Sequence, residues 1–141
     1  MPEPRDLAEA RRCLKRAEAD WRSADGLTQL VEGLGFLEAV IGARDAATAV
    51  TARNLAAAYA SRIYERIRAL VTADAALPEP DLEHLFKVVL AFDSIGVELP
   101  PAARDLKIEV VRRLIDLYYE GHPPERKRQA LRDLERITGR D

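Results

Sequence analysis

The chain has 141 residues, 48% of them apolar and 33% charged, with a formal net charge of −2 and one cysteine. That is the size of one ordinary globular domain, large enough to hold its core without metals or disulfides. The near-neutral, slightly acidic balance argues against a dedicated nucleic-acid binder, whose affinity rests on neutralising phosphates. No stretch near residue 1 combines basic residues with a long apolar run, and no window approaches 18 uninterrupted apolar residues. The expectation is a cytoplasmic protein without a membrane span, and Cys13, alone, fits a reducing compartment.

Six helices are predicted in chain order. The first covers about residues 5–22, where Leu7, Ala10, Leu14, Ala17 and Trp21 recur at spacings of three and four. Asp6 and Glu9 favour its positive end, and Asp25-Gly26 is read as the turn that closes it. The second covers about residues 27–41 on the stripe Leu27, Leu30, Leu34, Leu37 and Ile41. Gly33 and Gly35 lie inside it at about 1 kcal/mol each relative to alanine, so a neighbouring helix is expected to approach them closely.

Asp45 is the expected N-cap of a long third helix reaching about residue 71. Its first half is thin, with eight alanines between residues 46 and 60, and Leu55, Tyr59, Ile63 and Ile67 follow on one stripe. Leu77-Pro78-Glu79-Pro80 reads as a linker, since each proline biases the preceding residue away from helical geometry. Asp81 is then expected to cap a fourth helix with Leu82, Leu85, Phe86, Val89 and Phe92 inward. A second linker ends in Pro100-Pro101. The fifth helix, about residues 102–120, has an unusually wide stripe built from Leu106, Val110, Leu114 and Leu117 beside Ile108, Val111, Ile115 and Tyr118. Gly121 and Pro123-Pro124 stop it, and a sixth helix runs to about Thr138-Gly139 on Ala130, Leu131, Leu134 and Ile137.

No alternating β-branched run competes with these segments. The expected fold is all-α: an up-and-down antiparallel bundle of about four helices, residues 5–95, followed by a C-terminal helical hairpin, residues 101–139, in one domain.

Candidate chemistry is sparse. Asp81 and His84 form half of a metal-ligand pair with the wrong acid, and His122 stands alone in a turn. Cys13 has no evident histidine partner. Gly33-Leu34-Gly35 lacks the strand that a phosphate loop requires. The basic clusters Arg11, Arg12, Lys15, Arg16 and Arg126, Lys127, Arg128 are interleaved with acids, the usual pattern of a solvated helix face. The expectation is no catalytic, cofactor or metal site. The tyrosines say more. Tyr118 and Tyr119 are consecutive, so they cannot both face the core, and tyrosine is favoured at interfaces. An apolar groove for a partner helix is expected, with Leu55, Tyr59, Ile63, Tyr64 and Tyr118 as its residues. The wide fifth stripe also admits a second reading, a structural subunit that dimerises through helices five and six. A helical-repeat adaptor is a third, on a faint tetratricopeptide-like composition around Asn54-Leu55, Tyr59 and Ala69.

One family comes into view over residues 13–95. Cys13-Leu14-Lys15-Arg16-Ala17 resembles the Phe-Leu-x-x-Ala of FliS-type flagellin export chaperones. Asn54-Leu55-Ala56-Ala57-Ala58-Tyr59 resembles their Asn-Leu-x-x-Leu-Tyr, and Ile63-Tyr64-Glu65-Arg66-Ile67 the hydrophobic-x-x-Arg-Leu that follows. The chain lacks the family's Tyr-Asp-Gly-Ala stretch, and residues 96–141 have no counterpart in it. The resemblance implies a small cytosolic helical bundle, non-enzymatic, that shields an export substrate such as flagellin.

Overall fold

The computed structural model describes residues 3–42, 45–96 and 98–138, with the backbone alone at 137 and 138. Six α-helices follow one another: α1 (Arg5–Ala19), α2 (Ala24–Ile41), α3 (Ala46–Ala73), α4 (Glu79–Ala91), α5 (Pro101–Tyr118) and α6 (Pro124–Thr138). A single 3₁₀ turn, Phe92–Ile95, extends α4. No strand occurs among the described residues. The chain is all-α, as its periodicity predicts.

The first turn differs from expectation. α1 stops at Ala19 and α2 begins at Ala24, so the connection is Asp20 to Ser23 rather than Asp25-Gly26. Ser23 is the N-cap of α2: its Oγ accepts from Gly26 N–H at 2.9 Å and lies 2.8 Å from an Asp20 carboxylate oxygen. Gly26 therefore sits inside the first turn of α2. A Cβ there would lie 1.9 Å from the Asp20 carbonyl oxygen, so the backbone of the preceding turn occupies the space a side chain needs. This is the reason for glycine at that position, and it is a packing reason, not a turn reason.

α1 and α2 then pack along their length. Leu7, Ala10, Cys13, Leu14 and Ala17 of α1 are buried with Leu30, Leu34, Leu37 and Val40 of α2. The two helix-interior glycines part company. A Cβ on Gly33 would meet Leu14 and Cys13 side-chain atoms at 3.0–3.1 Å, as close approach predicts, whereas a Cβ on Gly35 would meet nothing within 4 Å. Only Gly33 is explained by its neighbour.

α3 lies against both. Asp45 caps it, accepting from Ala47 N–H at 3.1 Å and from the Thr48 hydroxyl, bonds that hold its carboxyl below the usual carboxylate range. Its thin row Ala49, Ala52, Ala56 and Ala60 is buried, and Ile63, Tyr64, Ile67 and Val71 continue it. Across its outer edge Glu18 of α1 receives Arg62 at 2.8 Å and Arg66 at 3.4 Å.

α4 starts three residues earlier than expected, behind Pro78, so Asp81 lies in the first turn beside Glu79 instead of capping. Both acids still face the positive helix end. Leu82, Leu85, Val88 and Val89 point inward, and Phe86, expected among them, is half-buried on another face. His84 Nε2 lies 3.0 Å from the Trp21 carbonyl oxygen, which ties α4 to the α1–α2 connection.

The C-terminal helices α5 and α6 pack onto the preceding helices through α5. Leu106, Val110, Val111, Leu114, Ile115 and Leu117 belong to the same continuous core as the residues of α1–α4. α5 packs against α3 on one side and against α4 and α6 on the other. Its stripe is wide because it serves three neighbours of its own chain. Only α6 is peripheral. It touches α5, with Leu134 as its buried residue and Ala130 and Leu131 half-buried. The expected stop at Gly139 and the Ile137 side chain lie outside the described residues.

Candidate functional site: an open groove over helix α5

The groove follows from how α4 and α6 sit on α5. Tyr118 OH donates to Glu83 Oε1 at 3.4 Å, and Lys107 pairs with Asp93. The later residue of α5 thus meets the earlier residue of α4, so the two helices are antiparallel. α6 returns along α5 through a turn in which Gly121 adopts φ +82°, and Lys127 is held to Asp116 at 2.8 Å. α4 and α6 therefore run in the same sense on either side of α5, separated from each other.

Between them lies an open space of about 790 Å³. Its floor is Val111, Ile115 and Tyr118 of α5. One wall is Phe86 and Leu90 of α4; the other is Ala130 and Leu134 of α6. From Lys107 to Tyr118 the floor spans about three helical turns, roughly 16 Å at 1.5 Å per residue. Leu90 is 47% exposed, one of three large apolar side chains so open to solvent among the described residues. An apolar trough bounded by polar residues on one side of a small protein is a recognised mark of an interaction site.

The ends of the groove differ. At one end Lys107, whose side chain is only 14% exposed, is neutralised by Asp93. At the other end the rings cluster. Phe86 and Tyr119 both meet Tyr118 edge-on, with centroids 6.0 Å and 5.0 Å apart, and His122 stacks on Tyr118 at 5.9 Å. Glu79, then burial, then Glu83 push the Tyr118 hydroxyl up to about 12, because each favours the protonated phenol.

The residues expected at a partner surface are separated by the structure. Tyr118 lies in the groove. Leu55 and Tyr59 lie on α3, away from it: Leu55 is half-buried, and Tyr59 is 9% exposed beneath the Arg62 guanidinium, 4.4 Å from the ring centroid. Ile63 and Tyr64 are corrected to core residues, with no exposed surface. The reason is the alanine row before them, which lets neighbouring helices close over α3. Tyr64 meets Phe92 edge-on at 5.6 Å, and burial, with Asp93 nearby, raises its hydroxyl above the ordinary tyrosine value. That hydroxyl has no hydrogen-bond partner among the described residues.

Phe86, Leu90 and the residues of α6 were not singled out by sequence reasoning. Phe86 and Leu90 are four apart and lie off the row Leu82, Leu85, Val89, so a second apolar row on α4 was the available signal. The Tyr118-Tyr119 doublet did point to this end of the molecule.

Other sites offer little chemistry. Cys13 is fully buried, and desolvation pushes its thiol up although Arg12 pulls the other way. His84 is occupied by the Trp21 carbonyl, and His122 by the tyrosine rings. Among the described residues no group of three or more His, Cys, Asp and Glu side chains could hold a metal ion, and no helix is long and apolar enough to cross a membrane. Comparison with protein-family models, with curated proteins and with solved structures finds no match for the chain.

Proposed function

We propose that the protein is a non-enzymatic binding module and that the groove between α4 and α6 receives a helix of a partner protein. The observation that carries this reading is the open, largely apolar space between α4 and α6, with Leu90 standing exposed on its rim. Two helices flanking a third at their present spacing leave a place for a fourth, and an amphipathic helix fills such a place through residues at i, i+3 or i+4, and i+7. Three turns of floor match that repeat. A module of this kind shields a partner's apolar segment from water. The narrower form of the reading is a cytosolic secretion chaperone holding an export substrate such as flagellin.

Site-specific photocrosslinking in the native cell tests the groove. A crosslinker at position 90 should trap a different protein, while one at Arg112, on an exposed part of α5 outside the groove, should not. Trapping only a second copy of the chain at position 90 would favour the structural-subunit reading instead. Equal labelling from both positions would remove the groove from consideration.

A further inference from the structure

The two walls of the groove are held in very different ways. α4 is fixed on several sides. Leu82, Leu85, Val88 and Val89 are buried, Phe92 sets its far end in the core, and His84 reaches the Trp21 carbonyl. α6 packs on α5, whereas each of the other α-helices packs against more than one neighbour. Leu134 is the buried residue among its described side chains. An ion pair to α5, Lys127–Asp116, joins side chains that are 42% and 43% exposed, where solvent screens away most of the benefit. The bonds Gln129–Asp133, Arg132–Gln129 and Arg136–Asp133 all lie inside α6, so they firm the helix without tying it to the rest of the chain.

The link from α5 supplies a pivot. His122 stacks on Tyr118 and meets Tyr119 edge-on, which keeps the start of the link on the end of α5. Pro123 and Pro124 beyond it are exposed, so no packing holds the chain between His122 and the helix. Leu134 stands about 15 Å from Pro124 along α6, at 1.5 Å per residue. A modest rotation about the link therefore lifts Leu134 clear of α5 and moves the first turn of α6 little. Part of the groove floor lies beneath. Val111 and Ile115 line the groove yet are only 4% and 5% exposed, because α4 and α6 close over α5 from either side. The α6 half of that cover is the one that can leave without disturbing the core.

We propose that α6 is a hinged strap. It swings off α5 about the His122–Pro124 link while α1 to α5 stay folded, and the swing bares Val111 and Ile115. The groove thereby has a gate: its rim at Leu90 is open at all times, and its floor is offered only when α6 lifts. Openings of this kind, smaller than global unfolding, are drawn from the least stable units of a fold. The strap is a property of the free chain and goes beyond the reading above, since it holds whatever the groove receives.

Hydrogen exchange under native conditions, followed by mass spectrometry on the full chain, tests it. Amides of residues 128–136 should exchange at least about 100-fold faster than those of residues 59–67 in α3, yet at least about ten-fold slower than in an unstructured chain. Low urea should hardly change the α6 rate, because the swing exposes little surface. Leu134→Ala should speed exchange in α6 and leave α1 to α3 unchanged. A thiol gives a second readout. Cys13, the one cysteine of the chain, is fully buried in the α1–α2 seam and labels only when the seam unfolds. In Val111→Cys the introduced thiol should label at least about 100-fold faster than Cys13, and faster still when combined with Leu134→Ala. Loss of α6 protection in one cooperative step with α3 would overturn the strap. Exchange of α6 at the rate of an unstructured chain would overturn it as well, since α6 would then cover nothing. An introduced thiol that labels no faster than Cys13, or at a rate that Leu134→Ala leaves unchanged, would have the same consequence.

Discussion

The α1–α2 seam and the α4–α6 groove are built from the same material, paired amphipathic helices joined by short turns, and end in opposite states. In the seam, glycine and alanine bring backbones together. Gly26 lies against the Asp20 carbonyl, where nothing larger fits, and Gly33 lies against the Leu14 and Cys13 side chains, which an added methyl group would have to press aside. In the groove, Phe86, Leu90 and Tyr118 are large, and α4 and α6 remain apart. Small residues let two helices satisfy one another; bulky residues on two helices that do not meet leave an apolar surface for a third party. Tolerance should differ accordingly. A change in the seam alters stability, and a change on the groove rim alters binding.

The sharpest way to break that contrast is Gly26→Ala. The added methyl group has nowhere to go without moving the α1–α2 connection, so the variant should lose about 3 kcal/mol in urea denaturation, at the upper end of overpacking costs. A loss below about 1 kcal/mol, the range of a propensity effect, would show that the seam yields easily and that the two regions are less different than their packing suggests.

A smaller effect separates the two glycines within α2. Gly35→Ala adds a methyl group in open space and should stabilise the protein by about 1 kcal/mol through helix propensity. Gly33→Ala should fail to show that gain, because its methyl group presses on Leu14 and Cys13. Thermal melts of the pair decide it; equal stabilisation would remove close approach as the reason for Gly33.

The smallest effect probes the groove end by pH. The Tyr118 phenol titrates near 10 when unfolded and is held up to about 12 in the folded protein. The folded state binds this proton more tightly, so its stabilising contribution is fully present below pH 10 and is lost as pH rises through about 12. Tyr118→Phe should lose less stability than the parent across that window, while Tyr64, also raised, remains in both and cancels from the difference. Parallel curves would show that Glu79 and Glu83 do not hold the hydroxyl.

The helices were legible because their signals are local. Asp45 as a cap, Pro123-Pro124 as a stop and the Leu7-to-Ala17 stripe each depend on residues within a turn or two. The boundary at Gly26 was misread because Asp-Gly carries turn chemistry, and only the folded backbone shows why glycine stands one turn further on. The site was legible only at Tyr118. Ile63 and Tyr64 look like any half-exposed stripe until the alanine row ahead of them is seen to admit a neighbour. Leu90 looks like core until it is found exposed on the groove rim. Which helix covers which residue is a non-local property, and the width of the α5 stripe recorded the number of its neighbours without naming them.

The groove also has an order of assembly written into it. Its floor comes from α5 and its first wall from α4, but its second wall is α6, the last of the six helices to emerge during synthesis. α1 and α2 are adjacent in the chain and can meet early, since contacts between near neighbours cost little loop-closure entropy. The seam thus needs only the first two helices, whereas the groove is complete only once α6 has docked on α5.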